Sequence, residues 1–190
     1  MPKNLEIESK SMLEKEDYKA LVSAYKNIKN YKQINYYISS NQLLEKVEKY
    51  GLRIRKKNKF YELTLKVTEE VGKTEINQEI ARKSLVNLKH FGKFPAGEVE
   101  KYLTENNVCD ISDLHIVGKL VTVRKDIKIN DSLFSIDKSK YNGITDYEIE
   151  CENASQEKAE KDLKNLLEKH NISYQKNEHN KLARFLNTIR

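Results

Sequence analysis

The sequence predicts an α+β fold built on an antiparallel sheet, and three observations predict it. Apolar and polar residues alternate with period two in about eight short segments. Amphipathic helical patterns interrupt this series and would cover the apolar face of a sheet. In several strands one parity is apolar while the other is strongly ionic, as expected of strands with two chemically distinct faces.

The strands can be followed in order. Leu5–Lys10 alternates, with Leu5 and Ile7 opposite Glu6, Glu8 and Lys10. Lys32–Ile38 is rich in aromatic and β-branched residues. Gly51 opens a strand through Arg55, and a turn at Asn58 leads into Tyr61–Val67, so these two form a hairpin. Glu75–Ile80, Val117–Ile129, Leu133–Asp137 and Tyr147–Glu152 complete the set.

Helices are predicted over Glu14–Ile28, Ala81–His90, Pro95–Glu105, Ser155–Lys169 and Glu178–Ile189. Leu21, Val22, Tyr25 and Ile28 share one helical face, as do Ala159, Leu163, Leu166 and Leu167. Pro95 suits a first helical position and Ser155 an N-cap. The stretch from Lys83 to His115 is loosely patterned, and its role is open.

Composition narrows the class. With 190 residues, 38% hydrophobic, only 6 Gly and 2 Pro, the chain suits a folded domain and not a disordered linker. A net charge of +6 favours anionic partners. No apolar run is long enough to span a bilayer, and Met1–Lys10 is polar, unlike a signal peptide. A cytoplasmic protein without a membrane partner is expected. Cys109 and Cys151 are the only cysteines, which argues against a disulfide framework. There is no phosphate-binding glycine loop, since Gly118-Lys119 lacks its flanking residues, and no His-Glu-x-x-His pair. His90, His115, His170 and His179 are scattered. Tyr31, Tyr36 and Tyr37 read as strand packing more than as a base-stacking platform, which disfavours nucleic acid.

The ionic parity carries the chemistry. Its rows are Glu6, Glu8 and Lys10; Arg53 and Arg55; Glu62, Thr64 and Lys66; Thr122 and Arg124; and Glu148, Glu150 and Glu152. For any single strand, a polar face in water explains such a row. The sorting of sign is different: the first and last strands present carboxylates, the middle strands bases. Carboxylates at i and i+2 lie about 7 Å apart and repel by about 2 kcal/mol at an effective dielectric of about 20. A divalent cation removes that repulsion, and hard oxygen ligands suit Mg2+ or Mn2+. Bases facing such a cluster hold phosphates.

Glu6-Ile7-Glu8-Ser9-Lys10 resembles the Glu-x-Glu-x-Lys signature of the CYTH family, the triphosphate tunnel metalloenzymes. The series Leu52-Arg53-Ile54-Arg55, Leu63-Thr64-Leu65-Lys66, Thr122-Val123-Arg124 and Tyr147-Glu148-Ile149-Glu150 extends the resemblance from about Leu5 to Lys169. It is similar to the small single-domain members of Gram-positive bacteria.

The resemblance implies a closed antiparallel barrel of about eight strands, a tunnel with polar interior and helices outside. It implies one domain over residues 1–190, with a C-terminal helical extension from about residue 170. The implied activity is metal-dependent hydrolysis of inorganic triphosphate or of an organic triphosphate. The alternatives are an adenylyl cyclase making cyclic AMP from ATP and a non-catalytic polyphosphate or nucleotide sensor. Carried over by position, Glu6, Glu8, Asp137, Glu148 and Glu150 bind Mg2+ or Mn2+. Lys10, Arg53, Arg55, Lys66 and Arg124 hold the phosphates of a small-molecule substrate, and Glu6, Glu8 and Lys10 are the catalytic candidates. Glu152 shares the parity of Glu148 and competes with it for a ligand role. Glu62, Glu75 and Glu79 are further candidates to enter the tunnel, without an assigned task. The sequence does not set the oligomeric state.

Overall fold

The structure, a computed structural model, describes residues 4–177 and 179–189. Among them are nine strands: β1 Asn4–Glu6, β2 Glu8–Met12, β3 Tyr31–Ser39, β4 Tyr50–Lys57, β5 Phe60–Thr68, β6 Lys73–Ile80, β7 His115–Ile129, β8 Ser132–Tyr141 and β9 Ile144–Glu152. The helices are α1 Lys15–Ala24, α2 Asn41–Glu45, α3 Arg82–Phe91, α4 Glu98–Glu105, α5 Gln156–Lys169 and α6 Lys181–Leu186. The eight expected strands are present, the first divided at Ile7. None of the described helices is long and apolar enough to cross a membrane.

The chain packs as two compact units, one of residues 4–5 and 33–120, the other of residues 6–32 and 121–189. In the first unit the strand order is β1-β6-β5-β4-β3. The β4–β5 hairpin turns at Asn58, whose φ of 55° suits an asparagine. Leu52, Ile54, Leu63 and Leu65 are all but inaccessible and pack with Leu85 and Leu88 of α3 and Val99 and Leu103 of α4. The loosely patterned stretch thus supplies the helical cover of this sheet.

In the second unit the order is β7-β8-β9-β2, with antiparallel pairing throughout. The β8–β9 hairpin turns at Asn142-Gly143, both with positive φ, a favoured two-residue hairpin geometry. Ile136, Ile149 and Cys151 pack on Leu21 of α1 and Leu163 and Leu167 of α5. Ser155 caps α5, its hydroxyl accepting from Lys158 N at 3.3 Å.

Three helices differ from expectation at their ends, two of them for a tertiary reason. The first helix ends at Ala24 instead of Ile28, and the buried Lys125 ammonium donates to the carbonyls of Tyr25 and Ile28 at 2.8 and 2.6 Å. Helix α4 starts at Glu98, beyond Pro95. Gln78 decides that start: its amide donates to Ala96 O at 2.7 Å and accepts from Val99 N at 3.3 Å. The intervening Gly97 has φ 140°, and a Cβ there would lie 2.4 Å from the Gln78 side chain. The last helix is confined to α6, capped by Asn180, while Glu178 lies outside the described residues.

Candidate active site

The ionic rows of both units are half-buried to buried, except for the exposed Glu152. In the second unit Asp137 is 0% exposed, Glu148 1% and Glu150 9%. Hairpin register explains their meeting. Asp137 pairs with Glu148 and Ser135 with Glu150 across β8 and β9, so the three acids share one face. Each offers a carboxylate oxygen, and these oxygens lie within 4.8 Å of one another.

Bases converge on these acids. From β7, Arg124 Nε and Nη2 clamp Asp137 at 2.8 and 2.6 Å, and Nη2 also reaches Glu150 Oε2 at 2.6 Å. From β2, Lys10 Nζ lies 3.0 Å from Glu150 Oε1 and 2.9 Å from Glu8 Oε1. Burial works against the Lys10 charge, but Glu150 and Glu8 outweigh it and hold its pKa above the ordinary lysine value. Burial likewise pushes Glu150 up, yet Lys10 and Arg124 bring it down to about 2. Asp137 is lowered too, burial being overcome by Lys181 and Arg124.

Two of these groups were not singled out in the sequence. Lys181, the first residue of α6, is 2.8 Å from Asp137 Oδ2 and 2.9 Å from Glu150 Oε1, and it also contacts Glu148 Oε1. Arg184, one turn on, donates to Glu148 Oε2 at 2.6 Å and Asp146 Oδ2 at 2.8 Å. Their spacing of three puts both on one helical face, but two bases on a six-residue helix read as its solvated edge. Only the pairing with buried acids gives it away.

In the first unit, Arg53 and Arg55 of β4 and Lys66 of β5 lie on the ionic face, with Thr64 opposite Arg53 and Glu75 opposite Lys66. Glu75 Oε1 is 2.7 Å from Lys66 Nζ and 3.5 Å from Arg53 Nη2. Burial pushes Glu75 up, but Lys66 and Arg53 bring it to about 2. Arg55 Nε donates to Asn35 Oδ1 at 3.2 Å. Arg53 Nε and Thr64 Oγ1 are buried donors that meet no acceptor among the described residues.

Of the expected metal ligands, the structure groups Asp137, Glu148 and Glu150. Glu8 joins them through Lys10, and Glu6 ends β1 half-buried, outside this group. Glu152 is exposed, so Glu148 is the buried member of that pair. A donor set of three buried carboxylates, already gathered round an amine, fits a hard divalent cation.

The CYTH domain model matches residues 4–186. The chain belongs to the CYTH family. It is 33% identical over 187 residues to YjbK of Bacillus subtilis, provisionally named a triphosphatase, covering 97% of this chain and 96% of that protein. It also resembles a solved Bacillus halodurans protein, provisionally named an adenylate cyclase, at 33% identity and TM-score 0.88, covering 97% of this chain and 99% of that one. A Hippeastrum protein, HpAC1, provisionally named an adenylyl cyclase and described as having a dominant triphosphatase activity, shares the fold at 22% identity and TM-score 0.79, with 96% of each chain covered. The antiparallel CYTH fold is therefore the fold of this chain.

Proposed function

We propose that this chain is a metal-dependent hydrolase of inorganic triphosphate or of an organic triphosphate. The carrying observation is the buried group of Asp137, Glu148 and Glu150 with its attendant bases, because hard anions and fixed cations together recognise a metal-bound phosphate chain. The CYTH membership and the names of the B. subtilis and Hippeastrum proteins support the same reading. We assign Glu6, Glu8, Asp137, Glu148 and Glu150 to Mg2+ or Mn2+, and Lys10, Arg53, Arg55, Lys66 and Arg124 to the phosphates, within a single tunnel domain of residues 1–190 whose helical extension starts near residue 170. Glu6, Glu8 and Lys10 are the catalytic candidates. A cytoplasmic site of action is in keeping with two free cysteines.

The residues divide the work. A divalent ion bound by the carboxylates supplies charge neutralisation at the terminal phosphoryl group. Arg124 is fixed on one edge by Asp137 and Glu150 through Nε and Nη2, which leaves Nη1 to donate to a phosphate oxygen. Such a pre-fixed guanidinium needs no reorganisation as charge develops. Arg53 Nε and the Thr64 hydroxyl are donors available to the same kind of ligand.

The name of the B. halodurans structure favours a cyclase as second reading. One panel separates them: tripolyphosphate, thiamine triphosphate and ATP, each with Mg2+ or Mn2+. Hydrolysis releases orthophosphate from tripolyphosphate only with metal. Pyrophosphate and cyclic AMP from ATP would move the assignment to a cyclase. Thermal stabilisation by tripolyphosphate without product would make the chain a sensor.

A further inference from the structure

The amino group of Lys181 stands where the three carboxylates of β8 and β9 converge. It touches Asp137 Oδ2 at 2.8 Å and Glu150 Oε1 at 2.9 Å, together with Glu148 Oε1. Burial, with Arg124 and Lys10 nearby, draws the Lys181 pKa down against the pull of Asp137, but three carboxylate oxygens in contact with one nitrogen favour its ammonium form. The same three residues offer the oxygens that lie within 4.8 Å of one another. An ammonium and a divalent ion cannot occupy that space together, because they need the same oxygens and repel each other.

The helix that carries Lys181 is held by other contacts. Arg184 bonds Asp146 and Glu148, Phe185 and Leu186 are buried, and the Asn180 side chain caps the first turn. The flexible four-carbon stem of Lys181 lets its ammonium leave while these anchors stay.

We propose that Lys181 is a tethered counter-cation: it fills the divalent-cation position in the resting protein and is expelled from it when the metal binds. This rests on the metal-site reading above and adds a competition to it. The resting carboxylates are kept neutralised, and metal affinity is set by the difference between two cations, not by the acids alone.

The test uses the full chain with Mn2+ as the only ligand. Acetylation by an amine-reactive reagent, read peptide by peptide by mass spectrometry, reports whether the Lys181 amine is accessible. It is expected to rise at least tenfold as Mn2+ saturates the wild-type protein. In calorimetric titration, Lys181→Met is expected to bind Mn2+ at least tenfold more tightly. Saturating Mn2+ that leaves Lys181 labelling unchanged overturns the proposal, and this measurement stands even if the variant fails to fold. A folded Lys181→Met that binds no more tightly also overturns it. Glu148→Gln tells this failure from that of the metal site: if it weakens Mn2+ binding while Lys181 stays protected, only the competition is wrong. If it binds Mn2+ as wild type does, the metal lies elsewhere and both readings fall.

Discussion

Lys66 and Glu75 are register partners across β5 and β6, and their charged ends meet at 2.7 Å on a buried face. Glu75 also holds Arg53 at 3.5 Å, so a single carboxylate keeps two bases in place. Glu75→Gln removes that partner and is expected to cost about 2 kcal/mol in urea unfolding of the ligand-free protein, below the value for a fully buried pair. Added tripolyphosphate is expected to raise the melting temperature of the variant more than that of wild type. An equal rise in both would show that Glu75 does not hold a phosphate position.

Acid should destabilise the protein through the same group. Glu75 and Glu150 both sit at about 2 in the folded state, against an ordinary 4.5. A lowered folded pKa gives stability that is fully present above the unfolded value and is lost as pH falls through the folded one. Unfolding free energy is therefore expected to hold down to about pH 5 and to decline between about 4.5 and about 2. Glu75→Gln should make that decline shallower in urea titrations at several pH values. An unchanged slope would contradict the assignment.

Two arginines on the ionic faces should behave differently. Arg53 has one long ion pair and an unmet Nε, so Arg53→Ala is expected to leave stability within about 1 kcal/mol. Its tripolyphosphate affinity should fall about tenfold to a hundredfold, as for a lost charge-assisted hydrogen bond. Arg124→Ala takes from Asp137 and Glu150 a partner that makes three short contacts and should cost about 3 kcal/mol in stability as well. Calorimetry beside urea unfolding checks both. Equal stability losses would argue against the difference in pairing.

The carboxylates should rank by their place in the cluster. Glu148→Gln is expected to weaken Mn2+ binding most, at least tenfold, and to cut metal-dependent orthophosphate release at least a hundredfold. Glu8→Gln, acting through Lys10, should do less, and Glu6→Gln least, since Glu6 lies outside the three-acid group. A reversed order in Mn2+ titrations would place the metal nearer β1 and β2.

Much of this was legible in the sequence. Parity put Glu148 and Glu150 on one face, the family resemblance added Asp137, and pairing of β8 with β9 then brought the three together. Alternation also gave the basic row of Arg53, Arg55 and Lys66, because a strand leaves little choice of side. It could not separate Glu148 from Glu152, which share a parity and differ only in depth along β9. Nor could it find Lys181 and Arg184, which lie on a helix and whose partners are distant in the chain. Helix ends failed for the same reason: Gln78 and Lys125 act on backbone groups far from them in sequence.

The order in which this cluster is synthesised follows from where its members lie. Lys10 and Arg124 are made first, then Asp137, Glu148 and Glu150, and Lys181 only after the whole of α5. The β8–β9 hairpin needs few residues to close, so it can form before its last cation exists. With Lys181 in the cation position, a metal ion present during translation would meet acids not yet claimed, whereas an ion added to finished protein would have to displace it. Metal content in a purified sample would then depend on the history of the sample, and chelated protein would reload more slowly than nascent protein loads.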